Sequence, residues 1–469
     1  MDFLSLTFAV FFIISVVCYY GLPKNTRWVV LLISSIVFYI WSVPYLIGYL
    51  LFSAVTTYGF ARWAENHPKK GKGLLAAVIL LNLAVLLFVK FAPLAGVSLL
   101  VPMGVSFYTL QVIAYCVDVY QGKTEAQKNF FKYLLFVSFF PQILQGPIPR
   151  YNQLKGQLFE GQAFDYRKFK FGFQLILWGL FLKMVIADRA AIFVNNVFPE
   201  YHLYEGTILA AAAVLYSIQL YTDFLGCVCI AMGAAEVYGI KLQTNFERPY
   251  LAVSVKDFWR RWHISLSSWL RDYVYIPLGG NRKGKLRRYV NLMLTFLVSG
   301  IWHGSGLQYI FWGLMQGGYQ IAGEVLMPLR KKVRGFLKIQ GTETFFVLWQ
   351  RLCTFVLITI SWVIFRSSSL RAGISMLKRI ATDWTPWVLF DGSIYKFGIE
   401  QKNFLAWILC VVLMAVIEGL QEKGNVREDL EKQHLLVRWS IYLGAIAIIA
   451  VLGVYGPGYS ATQFLYGQF

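Results

Sequence analysis

The sequence predicts an all-α polytopic membrane protein. Three observations carry that prediction. Of 469 residues, 57% are hydrophobic and only 14% are charged, where soluble domains carry roughly 25% charged residues. The mean hydropathy is +0.55. Apolar stretches long enough to cross a bilayer recur along the chain, separated by short basic loops.

The apolar stretches lie at about 3–22, 28–43, 45–61, 74–92, 97–119, 130–146, 170–187, 206–232, 291–303, 307–327, 345–365, 403–420 and 438–456. Those under about 17 residues are too short to span and suit re-entrant or buried elements. About eleven crossings are expected, with partial helices between them. Residues 3–20 lack a basic leader and a small-residue cleavage site, so they read as the first span. No fixed-period repeat is visible and neither half mirrors the other, which argues against a transporter built from repeats. The whole chain, 1–469, reads as one integral membrane domain. Within it, 233–290 forms a cytoplasmic interfacial helix and basic loop, and 457–469 an extracytoplasmic tail.

The formal charge is +20, from 44 basic and 24 acidic residues. In a multi-pass protein of the cell membrane such an excess marks cytoplasmic loops. Lys24/Arg27, Arg62 with Lys69, Lys70 and Lys72, Arg167/Lys168, 241–290, Arg330–Lys332 and Lys423–Arg438 are read that way. "MDFLSLT" carries no Lys or Arg, and nothing charged follows Arg438, so both termini are expected outside. "RSSSLRAGISMLKR" (366–379) breaks the pattern: alternation places it outside, yet it is basic. A second reading of the excess is that one basic loop also holds a phosphate-bearing substrate or anionic headgroups. Membrane lipids, not nucleic acid, are the partners this charge implies. The six cysteines (Cys18, Cys116, Cys227, Cys229, Cys353, Cys410) show no CxxC pair and no paired-loop framework, so neither a metal site nor disulfides are implied.

In 233–290, Val255, Phe258, Trp259, Trp262, Leu266, Trp269, Leu270 and Tyr273 recur at three- and four-residue spacing. That is one face of a helix. Lys256, Asp257, Arg260, Arg261, Arg271 and Asp272 occupy the other. Tryptophan beside arginine predicts a helix lying at the cytoplasmic interface. Pro277 and Gly279-Gly280 end it, and a basic loop with Arg282, Lys283, Lys285, Arg287 and Arg288 follows.

Of five histidines, His67, His202 and His434 sit in charged or exterior loops and read as solvated surface. His263 falls among the apolar positions of the interfacial helix. A neutral histidine bonded to a backbone carbonyl and a functional one fit it equally well. His303 lies in "LVSGIWHGSGLQYIF". An ionisable group at membrane depth is costly and points to function. Gly300, Gly304 and Gly306 permit close backbone approach or a broken helix there. A histidine with an ordinary pKa of about 6.5 suits proton abstraction from a hydroxyl near neutral pH. A hydroxyl attacking a thioester needs such a base, a donor for the oxyanion and exclusion of water.

"RPYLAVSVKDFWRRWHISLSSWLRDYVYIPLGGNR", "LVSGIWHG", "PMGVSFYTLQVIAYCVDVYQG" and "FVSFFPQILQGPIPRYNQL" together resemble the membrane-bound O-acyltransferase (MBOAT) family. The resemblance is strongest to its bacterial branch, which holds the alginate O-acetylation and teichoic-acid D-alanylation membrane proteins. It covers most of 101–320. It implies a ring of about eleven helices around a central funnel, with His303 of "WHG" catalytic and His263 of "RRWHISLSSW" supporting it. An acyl thioester, acetyl-CoA foremost, is implied on the cytoplasmic side, where Arg260, Arg261, Arg282 and Lys283 are candidate phosphate contacts. An extracytoplasmic partner transferase and a cell-surface polysaccharide are implied outside. Relatives often read "DFSGYSDI" or "DFSGCMDI" where this chain reads "DFLGCVCI", so Leu225 stands for a serine and Cys229 for an aspartate.

The end of the chain, "SATQFLYGQF", resembles the C-terminal motif of the small companion protein of the D-alanylation system, whose terminal tyrosine receives the acyl group. From Pro457 to Phe469 the chain can extend up to roughly 40 Å at about 3.3 Å per residue. Tyr466 is therefore a candidate acyl relay, since a tyrosine paired with a base can act as a covalent nucleophile. Phe464, Tyr466 and Phe469 anchoring the tail at the headgroups is the plainer alternative. The competing functions are D-alanyl transfer from a carrier protein to a teichoic acid, a lipid or glycan transporter, and a catalytically dead scaffold.

Overall fold

The computed structural model describes residues 3–42, 44–68, 70–92, 96–97, 100–143, 145–336 and 343–455. The described residues with regular secondary structure are all helical. The predicted tail, including Phe464, Tyr466 and Phe469, lies outside the described residues.

Chain contacts group the described residues into two compact units: those of 3–180 with 226–244, and those of 181–225 with 245–455. The first unit holds α1 (Leu6–Gly21), α2 (Arg27–Ser42), α3 (Ile47–Asn66), α4 (Lys72–Phe91), α5 (Val105–Tyr120), α6 (Phe130–Ser138) and α7 (Tyr166–Leu180). Its interior is rich in aromatic rings and small hydroxyls. Tyr238 donates to Ser15 Oγ at 2.8 Å, and Ser15 pairs with Ser34 at 2.7 Å. Such bonds satisfy polar groups that lipid cannot.

The second unit begins with a π-helical stretch, Phe181–Ala187, followed by α8 (Asp188–Val197). Next come α9 (Gly206–Val237), whose last turns belong to the first unit, and the short pair α10 (Val255–Arg261) and α11 (Ile264–Leu270). Then follow α12 (Gly284–His303), α13 (Leu307–Val325), the basic α14 (Met327–Phe336), α15 (Thr344–Arg366), α16 (Leu370–Thr382), α17 (Gln401–Lys423) and α18 (Leu435–Leu452).

Among the described residues, six helical segments are long and apolar enough to cross a membrane: Lys24–Ser42, α4, α9, α15, α17 and α18. The shorter apolar helices α1 and α5 join them. Other apolar stretches fold as shorter or interrupted elements. The 130–146 stretch breaks at Phe139, and 170–187 turns from α- to π-helix at Phe181.

The predicted interfacial helix over 255–273 is interrupted. It breaks at Trp262-His263 and its last turn, Arg271–Tyr275, is π-helical. Ser254 caps α10 by accepting from the Asp257 amide at 3.1 Å. The break is imposed from a distant segment. Glu247 N–H donates to the Arg261 carbonyl at 2.9 Å, and Ile264 N–H donates to the Asn245 carbonyl at 3.0 Å. These bonds claim backbone groups that a continuous helix would use internally.

Candidate active site

His303 is the last residue of α12 and is 2% exposed. Glycines place it there. A Cβ on Gly300 would stand 2.4 Å from the Tyr309 carbonyl, and one on Gly313 would stand 2.3 Å from the Phe296 carbonyl. Only residues without a side chain let α12 and α13 approach so closely. The connection Gly304–Gly306 then reverses the chain within three residues.

The His303 ring lies edge-on to Trp302, Trp312 and Phe365, at centroid separations of 4.8, 5.1 and 5.3 Å. T-shaped packing of this kind is favoured between aromatic rings. Behind the ring wall, Trp259 donates to Gln316 Oε1 at 3.0 Å and Gln316 Nε2 donates to Ser361 Oγ at 2.7 Å, so α10, α13 and α15 are tied together.

His263 is equally buried, at 1% exposed. Its ring sits edge-on to Phe224 at 4.8 Å and 6.1 Å from Trp302, so Trp302 touches both imidazoles. Its backbone is left-handed, with φ 44° and ψ 52°. That region is uncommon outside glycine and signals a position held by its surroundings. The holder is Asn245, itself fully buried. Its Oδ1 accepts from Ser265 N–H at 3.0 Å and from Ser265 Oγ at 2.8 Å, and stands 3.3 Å from His263 Nδ1.

The structure therefore brings His303 and His263 together and divides the basic candidates. Arg260 is exposed on the last turn of α10. Arg261 is engaged, with Asp257 at 3.3 Å and Glu422 at 3.9 Å. Arg282 and Lys283 are exposed just before α12. His303 closes that 20-residue helix, so about 28 Å of helix separates it from the Gly284 end at 1.5 Å per residue.

Several residues of this region were not singled out from sequence: Asn245, Trp302, Trp312, Phe365 and a buried ion cluster. Lys183, on the π-helical stretch, donates to Asp223 at 2.6 Å and to Asp188 at 2.7 Å, and none of the three is more than 6% exposed. Asp223 opens "DFLGCVCI" and precedes the Phe224 that packs on His263. Lys183, deep in the apolar run 170–187, was the available signal, because a charge at that depth needs partners. Of the departures from the family pattern, Leu225 is half-buried and Cys229 buried.

A buried imidazole walled by aromatic rings can take a proton from a hydroxyl while bulk water is kept from a reactive ester. Residues 126–365 match the MBOAT family, described as membrane-bound O-acyltransferases. The chain is 34% identical over 412 residues to the probable alginate O-acetylase AlgI of Pseudomonas fluorescens, covering 86% of this chain and 76% of that protein. It is 35% identical over 390 residues to the peptidoglycan O-acetyltransferase of Helicobacter pylori, covering 74% and 72%. It is also 31% identical over 223 residues to the teichoic acid D-alanyltransferase of Bacillus subtilis, covering 45% and 56%. With the two buried histidines in place, these matches establish that the chain is a multi-pass O-acyltransferase and belongs to the membrane-bound O-acyltransferase family.

Proposed function

We propose that this protein moves an acetyl group from a cytoplasmic thioester, acetyl-CoA, to a hydroxyl outside the membrane, for O-acetylation of a cell-surface polysaccharide. The burial of His303 at the closed end of the α12–α13 hairpin, among Trp302, Trp312 and Phe365, carries the reading. His303 takes the hydroxyl proton as the oxygen attacks the thioester carbonyl. The carbon–sulfur bond then breaks, and the proton passes to the departing thiolate. His263 supports the site through Trp302. Acetyl is favoured over D-alanyl because the O-acetylating relatives match at 34–35% identity over 74–86% of the chain, and the D-alanylating ones at 25–31% over 45–64%.

Arg260 is the best-placed phosphate contact, being exposed and three residues from His263. Arg261 contributes once Glu422 releases it, and Arg282 and Lys283 serve the outer approach of the donor. Tyr466 is the proposed relay: it accepts the acetyl as an ester on its phenol oxygen, gives its proton to His303, and passes the group to an extracytoplasmic partner transferase.

Purified protein in nanodiscs with labelled acetyl-CoA tests this. Label should leave the thioester with wild type and remain on it with His303→Ala. Equal turnover by both removes His303 from the reaction. Mass spectrometry of the C-terminal peptide reads the relay separately. An unmodified Tyr466, with normal transfer by Tyr466→Phe, leaves only the membrane anchor.

A further inference from the structure

The helix α14 follows the end of α13 that is far from His303, and it is built unlike its neighbours. Each of its residues is exposed except Arg334, which is half-buried. Leu329, Val333 and Phe336 fall within an arc of about 60° at about 100° per residue, and all three are exposed, Phe336 at 86%. Lys332 borders this apolar stripe on one side, Arg330 and Arg334 border it on the other, and Lys331 stands opposite. Among the described residues, Arg330, Lys331 and Lys332 pair with no carboxylate.

Both ends of α14 are held in place. Before it, Glu324 of α13 pairs with Arg288 and accepts from the Tyr289 hydroxyl at 3.5 Å, which fixes the end of α13 against the start of α12. Lys285 and Arg287 are exposed at the same end. After it, the Arg334 guanidinium lies over the Phe346 ring at 5.5 Å, in the first turn of α15. α15 is long and apolar enough to cross a membrane, and its first turns expose Phe345, Leu348, Trp349 and Leu352. A tryptophan among exposed apolar residues near a helix end marks the membrane interface. α14 therefore lies where α15 enters the bilayer, and the density of Lys and Arg makes that end cytoplasmic. A loop that only stays in water has no use for three large apolar side chains in one row. An apolar patch rimmed by cations is the pattern of a helix that rests on an anionic lipid surface.

We infer that α14 docks on anionic phospholipid headgroups of the cytoplasmic leaflet. Leu329, Val333 and Phe336 sink below the phosphates, Arg330 and Lys332 reach them from either side, and Lys331 adds attraction from the far face. The apolar stripe matches acyl chains, which commits the face to a bilayer and not to a soluble phosphate. The inference concerns attachment to the membrane and stands apart from the reading of His303.

Amide exchange of residues 327–336 tests it, measured on the full chain in nanodiscs of phosphatidylglycerol and of phosphatidylcholine. Each Lys or Arg near an anionic surface strengthens attachment about five-fold. Exchange in wild type should therefore be about ten-fold or more slower in phosphatidylglycerol. Salt at about 0.5 M should remove most of the difference by screening. Arg330→Gln, Lys331→Gln and Lys332→Gln together should abolish it, with exchange in α13 unchanged as the report of an intact fold. The salt arm uses wild type alone, so it decides even where the variant misfolds. Equal exchange of wild type in the two lipids overturns the inference. So does a difference that survives the three substitutions or that salt does not diminish. Coenzyme A added to the phosphatidylcholine discs should leave exchange unchanged. Slowing equal to that in phosphatidylglycerol would assign the face to the donor and overturn its assignment to lipid.

Discussion

The two buried histidines share a tryptophan and differ in nearly everything else. His303 ends a regular helix and is surrounded by rings that leave its backbone unstrained. His263 sits at a helix break in a left-handed conformation, fixed by Asn245 from a segment eighteen residues away. The first environment is built around a side chain: exclude water and leave an imidazole able to exchange a proton. The second is built around a backbone: hold an unfavourable φ so that α10 and α11 meet at an angle. The contrast teaches that equal burial does not mean equal duty.

The largest expected effect is on His303. His303→Ala should lower acetyl transfer by about 10²–10⁴-fold, the range for loss of a general base, with an unchanged unfolding midpoint. A similar loss from His263→Ala, at unchanged stability, would erase the distinction drawn here. Next comes Asn245→Ala, which strands the buried Ser265 donors. Stability should fall by about 1–3 kcal/mol, with activity falling alongside as α10 and α11 lose their angle. Thermal unfolding and transfer measured on one preparation check the pair. A smaller effect separates backbone from side chain at 263. His263→Gly should be more stable than His263→Ala by about 1 kcal/mol, because glycine accepts the left-handed region. Equal stability would mean the observed φ carries no strain. Smallest is the basic pair comparison. Arg260→Gln should raise the KM for acetyl-CoA by about two- to five-fold, as expected for a solvent-exposed charge contact, and Arg282→Gln should raise it less. The reverse order would move the donor to the Gly284 end of α12.

His303 was legible because its surroundings are written locally: "WHG" and flanking glycines sit within seven residues. The break at His263 was not. Apolar spacing runs unbroken from Val255 to Tyr273, and periodicity cannot register a hydrogen bond arriving from Asn245 or Glu247. The ring wall was illegible for the same reason. Trp302, Trp312 and Phe365 come from three helices, and in a chain with 15 tryptophans and 38 phenylalanines no single one stands out. The interruption at Phe181 left no mark either, since π- and α-helical stretches draw on the same apolar residues. The predicted count of crossings was read from apolar length alone, and length does not reveal where a stretch such as 130–146 turns at Phe139.

That interruption at Phe181–Ala187 has a consequence in the arithmetic of insertions. A π-helical turn amounts to one extra residue carried within an α-helix, often preserved at functional sites. Its carbonyls turn outward: Met184 accepts from Val454 N–H at 3.0 Å and Ile186 accepts from Trp407 Nε1 at 3.0 Å. Deleting one residue there would restore an ordinary helix and rotate all that follows by about 100°. Asp188 would swing off Lys183, and the docking points of α17 and of the chain after α18 would vanish together. Length at this point is therefore under tighter constraint than the identity of any single apolar residue in it, and related chains should keep the number of residues here while exchanging Leu, Met, Val and Ile.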